Sequence, residues 1–168
     1  ATVATAKTGT PVYIRLAREK TPIMTTEETP FDIGKAQTVW KSDKAQVGII
    51  ATGALLHKAL QAAKELEGSI EVEVMNLATI KPLDEEVILT YAKKTGAIVT
   101  VEEHQIMGVM GSAVSEYLSQ TCPVPHEFIG VRDQFGQSGA PAELIEHYQM
   151  GVSHIVAAVR KAHGRKTQ

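Results

Sequence analysis

The stretch Val47-Gly48-Ile49-Ile50-Ala51-Thr52-Gly53 is a short apolar run that ends in glycine. This pattern is typical of a strand that is buried on both faces of a parallel sheet. Residues 54–67 then carry apolar side chains at spacings of three and four with lysines and glutamates between them, which predicts an amphipathic helix. Gly68 ends that helix, so the stretch predicts one strand–helix unit.

The same alternation of strand and helix continues along the chain. It predicts strands over 70–77, 97–101 and 127–131, helices over 82–95, 109–120, 141–148 and 152–162, and a further edge strand over 38–40. Strands that are joined by helices imply right-handed crossovers and a mostly parallel sheet. We therefore expect an α/β fold over residues 34–168: a doubly wound, mostly parallel sheet of four to five strands with helices on both faces.

Composition and charge exclude several classes of protein. The chain has 168 residues, of which 43% are hydrophobic, and this suits one domain with a normal core. Its formal net charge is -2, whereas surfaces that bind nucleic acid are clearly basic. The single Cys122 excludes an internal disulfide. Since no stretch is apolar enough to span a membrane and no signal pattern is seen, we expect a cytoplasmic protein that binds neither nucleic acid nor membrane.

Basic side chains are concentrated in the last predicted helix and just after it. They are Arg160, Lys161, His163, Arg165 and Lys166. We interpret them as a solvated last helical turn, because cations there favour the negative end of the helix dipole.

Residues 1–33 do not follow the alternating pattern. Pro11-Val12-Tyr13-Ile14-Arg15-Leu16 predicts a strand, and residues 20–30 are polar and flanked by proline, as in a linker. A single strand has no partner for its hydrogen-bonding groups or for its apolar face. We therefore expect residues 1–33 to be the end of a preceding domain plus a linker, and the chain to be a fragment or a subunit.

Three polar clusters are expected at the carboxyl ends of the parallel strands, where open α/β sheets hold their ligands. They are Thr52-Gly53, Glu102-Glu103-His104 and the segment 133–139. The candidate residues for a ligand crevice or an interface are Glu102, Glu103, His104, Asp133 and Ser138. One hypothesis is therefore a regulatory module that binds a small effector there. A purely structural dimerisation domain is another.

The residues predict no catalytic, cofactor-binding or metal site on this chain. Glu102 and Glu103 are neighbours at a strand end, so their side chains diverge and are poorly placed to ligate one metal ion. Ser138 lies in Gly136-Gln137-Ser138-Gly139-Ala140, which lacks the second glycine position of the nucleophile motif G-x-S-x-G. Neither the dinucleotide motif G-x-G-x-x-G nor the phosphate loop of ATP-binding proteins occurs.

Two features suggest contact with an anion. Arg15 and Arg18 lie three residues apart at the predicted end of the first strand, and a guanidinium suits a substrate phosphate. Gly108 and Gly111 stand at a predicted helix start, where backbone N–H groups bind anions, but glycines there also let a helix pack closely on a strand. We favour packing for the glycines and keep the arginines as phosphate candidates.

Six motifs occur in the order found in one enzyme family. They are Pro11-Val12-Tyr13-Ile14-Arg15-Leu16-Ala17-Arg18, Ile33-Gly34-Lys35-Ala36, Val47–Gly53 with Leu56-His57-Lys58-Ala59-Leu60, Thr79-Ile80-Lys81-Pro82-Leu83-Asp84, Thr100-Val101-Glu102-Glu103-His104 and Phe135-Gly136-Gln137-Ser138-Gly139. With these motifs, the chain resembles the carboxy-terminal part of transketolases over nearly its whole length. The wider family includes deoxyxylulose-phosphate synthase and the beta subunits of 2-oxo-acid dehydrogenases. Within it, Ile-Lys-Pro-Leu-Asp favours transketolase, whereas Met107-Gly108 and Tyr148-Gln149 depart from the pattern of many relatives and leave the subgroup open.

The resemblance implies a role in a larger enzyme. Transketolases use thiamine diphosphate and magnesium to move a two-carbon ketol unit between sugar phosphates of the pentose phosphate pathway, and the cofactor does the carbanion chemistry. The family holds cofactor and metal on an amino-terminal domain with a Gly-Asp-Gly signature, which this sequence lacks. The resemblance therefore implies a transferase that is inactive as this chain alone, binds no cofactor alone, and associates with the remaining domains or a partner subunit and as a homo-oligomer, a dimer.

The resemblance also gives roles to the first 33 residues. It implies that they end a preceding pyrimidine-binding domain. Arg18 aligns with the arginine that contacts the substrate phosphate in family members. Residues 34–168 are then the transketolase-type carboxy-terminal domain.

Overall fold

The computed structural model describes residues 1–167. Its strands are β1 (Gln37–Trp40), β2 (Val47–Ala51), β3 (Val72–Asn76), β4 (Ile98–Gln105) and β5 (His126–Val131). Its α-helices are α1 (Thr2–Thr5), α2 (Leu56–Leu66), α3 (Glu85–Thr95), α4 (Met110–Thr121), α5 (Pro141–His147) and α6 (Val152–Gly164), and short 3-10 helices cover Gly53–Leu55 and Arg165–Thr167. Within residues 1–167, every helix is too short or too polar to cross a lipid bilayer.

The five strands form one sheet in the order β1-β3-β2-β4-β5. Strands β2 to β5 run parallel, and β1 pairs antiparallel with β3 at one edge. Helices α2 and α6 pack on one face of the sheet and α3 and α4 on the other, each over its own apolar core. The predicted α/β class, the mostly parallel sheet and the edge strand near residues 38–40 are confirmed.

Strand β2 shows why the sheet is covered on both faces. Val47 and Ile49 belong to the core under α2 and α6, whereas Ile50 belongs to the core under α3 and α4. A Cβ on Gly48 would stand 2.9 Å from Cδ1 of Ile98 and 3.1 Å from Cδ1 of Tyr91, so this position has no room for a side chain. The apolar run is therefore a strand that is buried on both sides.

Strand β4 is longer than the sequence indicates. The sequence predicts it over 97–101, but it continues to Gln105, which pairs with Val131 after an irregularity in register. Gly130 makes this approach feasible, because a Cβ there would stand 2.8 Å from the carbonyl oxygen of His104. The polar triplet that starts at Glu102 therefore lies in the last part of the strand, not after it.

Residues Pro11–Leu16, predicted as a strand that belongs to a preceding domain, form no strand in the structure of this chain. Every residue from 6 to 28 is exposed. Among residues 1–167, no strand pairs with this segment, and an extended chain without a ladder partner leaves its N–H and C=O groups to water.

The sequence suggests that the basic residues near the end of the chain are solvated, but three of them bind groups of the same chain. Arg165 binds the carboxylate of Glu127 at 2.6 Å and the carbonyl of His126 at 3.0 Å, and Lys161 binds the same carboxylate at 2.8 Å. Lys166 donates to the carbonyls of Gln46 at 2.8 Å and of Thr95 at 2.6 Å. These contacts close the amino edge of the parallel sheet, where β2, β4 and β5 begin.

Candidate functional site at the carboxyl edge

The carboxyl edge of the sheet is formed by the ends of β2, β3, β4 and β5 and by the loops that leave them. Crossovers of one hand bring these ends together, so polar residues that are far apart in sequence lie along one edge. Strand β4 lies at the centre of this edge, between β2 and β5, and carries three of the five predicted crevice residues.

Glu102 is buried against the start of helix α4. Its Oε1 accepts the N–H of Gly111 at 2.8 Å and its Oε2 accepts the N–H of Met110 at 3.1 Å. The first N–H groups of a helix have no intrahelical partner and favour a negative charge. The carboxylate of Glu102 therefore occupies the position that an external anion would take at this helix start.

The buried position changes the acidity of this carboxyl group. Burial raises the pKa of Glu102 above its usual value, although the two backbone N–H bonds and the electrostatic interactions with His104 and Arg15 oppose the rise. Both arginine and histidine thus lie near enough to act on the carboxylate. This cluster of Glu102, His104 and Arg15 joins β4 to the amino-terminal segment.

Gly111 explains how helix α4 comes so close to the sheet. A Cβ at this position would stand 2.8 Å from Oγ1 of Thr100, 2.9 Å from Cδ1 of Phe128 and 3.1 Å from Oε1 of Glu102. The glycine therefore serves close packing, as the sequence indicates. The same approach brings its N–H to the carboxylate, so packing and anion binding are the same contact here.

Glu103 and His104 differ from Glu102 in their exposure. Glu103 points away from the core and is exposed, so the side chains of the two glutamates diverge as predicted. His104 is half-buried, and its Nδ1 accepts the N–H of Gln105 at 2.8 Å. Nδ1 therefore carries a lone pair in this arrangement, which leaves Nε2 as the donor.

The loop after β5 is exposed over residues 132–140. Gln105 links it to β4: its Oε1 accepts the N–H of Asp133 at 3.0 Å, and its Nε2 donates to the carbonyl of Gln134 at 3.4 Å. Tyr148 donates its hydroxyl to the carbonyl of Phe135 at 2.8 Å, while the ring of Phe135 is 98% exposed. The loop is tethered through its backbone, and its side chains are left toward solvent.

The five predicted crevice residues do not form one enclosed site in this chain. Glu102, Glu103 and His104 share the end of β4, and Asp133 lies beside it through Gln105. Within residues 1–167, Ser138 makes no hydrogen bond to the other four. The arrangement is an open polar surface with one buried carboxylate.

The two candidate arginines have different contacts. Arg15 donates from Nη2 to the carbonyl of Glu103 at 2.9 Å, although the two residues are far apart in sequence. Arg18 pairs with its neighbour Glu19 at 3.0 Å, and its side chain is 92% exposed. Arg18 is thus available to a ligand, and Arg15 is used within the chain.

The residues present do not fit a magnesium or thiamine diphosphate site. Among residues 1–167, no group of three or more histidine, cysteine, aspartate or glutamate side chains converges in a way that could hold a metal ion. The N–H groups at the start of α4, which suit a phosphate group in their chemistry, are already bound to Glu102. No step of cofactor chemistry is therefore assigned to this chain's residues.

Two contacts of this edge are not predictable from the sequence alone. The sequence does not indicate a role for Gln105, because nothing in a lone glutamine after charged residues shows that it joins β4 to the loop after β5. The contact of Arg15 with Glu103 is missed because it joins distant parts of the chain. The spacing of Gly108 and Gly111 does signal a helix start near an anion, but the anion is the chain's own glutamate.

Comparison with known proteins places this architecture in a family. Residues 34–155 match the family model described as transketolase, C-terminal domain. The chain is 43% identical over 157 residues to the 6-deoxy-6-sulfo-D-fructose transketolase subunit SqwH of Clostridium sp. (strain MSTE9), covering 93% of this chain and 48% of that protein. It is 39% identical over 140 residues to an apulose-4-phosphate transketolase subunit of Phocaeicola vulgatus, covering 82% of this chain and 44% of that protein.

A solved structure supports the same assignment. The chain superposes with a TM-score of 0.88 and 42% identity on a structure described as a split gene transketolase, inactive beta4 tetramer, covering 93% of this chain and 51% of that one. The chain thus spans about half the length of the relatives it matches. The match over residues 34–155 and the topology of the sheet together show that this chain belongs to the transketolase C-terminal domain family.

Proposed function

We propose that this chain supplies the carboxy-terminal domain of a transketolase that transfers two-carbon ketol units between sugar phosphates and depends on thiamine diphosphate and magnesium. The cofactor and metal are held by domains outside this chain, either in the same polypeptide or on a partner subunit. This chain alone is inactive. Its contribution is a stable scaffold, the association of subunits and one phosphate contact.

The observation that carries the proposal is the exposed apolar segment at residues 11–24. Its large apolar side chains are uncovered: Val12, Tyr13, Ile14, Leu16, Ile23 and Met24 are 47%, 87%, 38%, 80%, 94% and 36% exposed. An apolar extended segment with free backbone groups is what a strand looks like when its sheet is missing. We assign residues 1–33 to the end of a preceding pyrimidine-binding domain plus its linker.

Arg18 is the residue of this chain that contacts the substrate. Its guanidinium is exposed and has one acidic neighbour, so it is free to form a forked pair with a phosphate group. The segment that carries it is held at the carboxyl edge through Arg15. This is the edge where open α/β sheets hold their ligands.

Glu103, His104, Asp133 and Ser138 serve as the surface that faces the other domains or a second copy of the chain. Glu103, Asp133 and Ser138 are exposed, and Phe135 lies in the same loop as the last two. The buried Glu102 stabilises this surface because its carboxylate binds the start of α4. An effector-binding module is the weaker alternative, because these residues do not enclose a pocket.

The substrate is a sugar phosphate, and we place the reaction in the pentose phosphate pathway in the cytoplasm. The relatives' names include a sulfosugar and apulose 4-phosphate, so subunits of this family are named for different sugars. The active assembly is a homo-oligomer, namely a dimer of the completed enzyme.

The test supplies the missing domains, either as the rest of the same polypeptide or as the rest together with a separate partner subunit. Ketol transfer from hydroxypyruvate to ribose 5-phosphate, with thiamine diphosphate and magnesium, is measured for this chain alone and for the completed enzyme. Turnover is expected only in the completed enzyme. Titration calorimetry is expected to show no binding of thiamine diphosphate to the chain alone, and turnover or micromolar binding by the chain alone contradicts the proposal.

The phosphate contact is tested by Arg18→Ala in the completed enzyme. Loss of a charged hydrogen bond is expected to weaken the binding of ribose 5-phosphate by about 1 to 3 kcal/mol and so to raise its KM. The KM for ribose is expected to change little. Lys20→Ala is the control, because Lys20 is an exposed cation in the same segment. Equal effects on both acceptors would remove the phosphate role.

A further inference from the structure

The segment that carries Arg18 has one polar attachment to the folded domain. Residues 6–28 are all exposed, and the guanidinium of Arg15 binds the carbonyl oxygen of Glu103 at 2.9 Å. Within the described residues, no other hydrogen bond or ion pair joins residues 11–28 to residues 34–167. The position of this segment therefore depends on Arg15 more than on any other polar group in it.

The acceptor of this bond is firmly held. Glu103 lies in β4, and its neighbour Glu102 is fixed by the N–H groups of Met110 and Gly111 at the start of α4. The bond uses the backbone carbonyl of Glu103, and the side chain of that residue is left exposed. Arg15 is thus attached to a part of the sheet that does not depend on a flexible side chain.

A second observation places Arg15 in this cluster. Both His104 and Arg15 interact electrostatically with the carboxylate of Glu102, opposing the burial that raises its pKa. The guanidinium therefore faces a carbonyl dipole and a nearby carboxylate at the same edge.

The attachment limits where Arg18 can go. Arg18 follows Arg15 by three positions, and three residues of extended chain reach about 10 Å. We propose that Arg15 is a positioning residue: in the completed enzyme it joins the strand that residues 11–16 add to the preceding domain to the end of β4, so that the guanidinium of Arg18 is held where the substrate phosphate binds. This inference rests on the proposed function of Arg18 and adds the residue that orients it.

The attachment itself is tested on the chain alone. Cys122 is the single cysteine, so Cys122→Ser with Leu16→Cys gives one site for a nitroxide label next to Arg15. Electron paramagnetic resonance is expected to show faster label motion after Arg15→Ala, little change after Arg15→Lys, and no change after the control Lys20→Ala. Unchanged motion after Arg15→Ala overturns the attachment, whatever the function of the enzyme.

The positioning role is tested in the completed enzyme with hydroxypyruvate, a donor that carries no phosphate. Arg15→Ala is expected to raise the KM for ribose 5-phosphate about five- to tenfold, because a small displacement of a binding group weakens its contact, and to leave kcat and the KM for ribose nearly unchanged. Arg15→Lys is expected to restore most of the loss, since an ammonium group also donates to a carbonyl.

Arg18→Ala, measured beside these variants, separates the two proposals. If Arg18→Ala is selective for the phosphorylated acceptor and Arg15→Ala is not, the positioning role fails and the phosphate contact stands. If Arg18→Ala is itself unselective, the phosphate contact fails and the positioning role fails with it, whereas the label motion still reports the attachment.

Discussion

The amino and carboxyl edges of the parallel sheet differ in how their polar groups are used. At the amino edge, Lys161, Arg165 and Lys166 bind a carboxylate and three backbone carbonyls of the same chain. At the carboxyl edge, the loop over 132–140 and the segment over 6–28 are exposed. The difference indicates that this chain stabilises itself at the amino edge and leaves these parts of the carboxyl edge exposed, with the buried carboxylate of Glu102 as an internal contact there.

The largest effect is expected from Glu102→Ala, which would break the contact between the end of β4 and the start of α4. Removing the carboxylate leaves the N–H groups of Met110 and Gly111 buried without an acceptor, so the free energy of unfolding should fall by about 2 to 3 kcal/mol. Urea denaturation measures it. Glu103→Ala is the matched control and should change stability by less than about 0.5 kcal/mol, because that side chain is exposed. Equal losses for both would show that this edge has no internal support.

The next effect is a loss of stability in acid that arises at the closed edge. Burial lowers the pKa of His126 from 6.5 to about 4, between the opposing charges of Glu127 and Arg165. The unfolded chain therefore binds a proton that the folded chain rejects, so stability is complete above pH 6.5 and falls as the pH drops toward 4, by about 2 to 3 kcal/mol in total.

Unfolding curves at steps between pH 7 and pH 4 test this effect. His126→Gln removes the titrating group, so the slope over this range should become flatter even if the variant is less stable at pH 7. An unchanged slope would mean that His126 accepts its proton in the folded state. Glu127, whose carboxylate is favoured by Lys161 and Arg165 despite its burial, has a lowered pKa, so the stability that it contributes is complete above its ordinary value and is lost only as the pH falls below that value.

A smaller effect is expected when the ion pairs of the closed edge are removed. Glu127→Ala removes the acceptor of both Lys161 and Arg165 and should lower the free energy of unfolding by about 1 to 2 kcal/mol, since the carboxylate is mostly buried but both cations are partly exposed. Glu67→Ala breaks the exposed pair with Lys64 and should cost less than about 0.5 kcal/mol. Thermal unfolding of the two variants compares them, and an equal shift would show that the amino edge is not a special source of stability.

The smallest effect on stability is expected in the exposed loop of the open edge. Phe135→Ser should change the free energy of unfolding by less than about 0.5 kcal/mol, because its ring is 98% exposed. The affinity for the missing domains should fall about tenfold, since exposed aromatic side chains are frequent anchors of interfaces. Calorimetric titration measures it against Val39→Ser, an exposed apolar control on edge strand β1. A loss of affinity for Val39→Ser alone would mean that the missing domains bind at edge strand β1 and not at the loop of Phe135.

The sheet can be predicted because its signals are local. The apolar run from Val47, the helix that follows it and the glycine stops each reflect contacts within a few residues of the chain. The sequence makes strand β4 too short, because a buried glutamate resembles a surface residue unless its partner is known. Its partner is the start of α4, and that pairing depends on the close approach at Gly111.

The amino-terminal segment and the basic end of the chain show the opposite limit. Pro11–Leu16 has the composition of a strand, but a strand needs a ladder that this chain does not provide. Arg165 and Lys166 have the composition of a solvated end, but they bind carbonyls that lie far away in sequence. In both cases the missing information is which distant group is present, and local composition does not contain it.

The bond between Lys166 and Gln46 spans 120 residues of sequence, so it can form only late in the synthesis of the chain. While residue 166 is still inside the ribosomal exit tunnel, the nascent sheet has an open amino end, because the cations that close it have not emerged. Long-range contacts of this kind are the last to form. The amino edge of the newly made sheet is therefore expected to close only after Lys166 has left the tunnel.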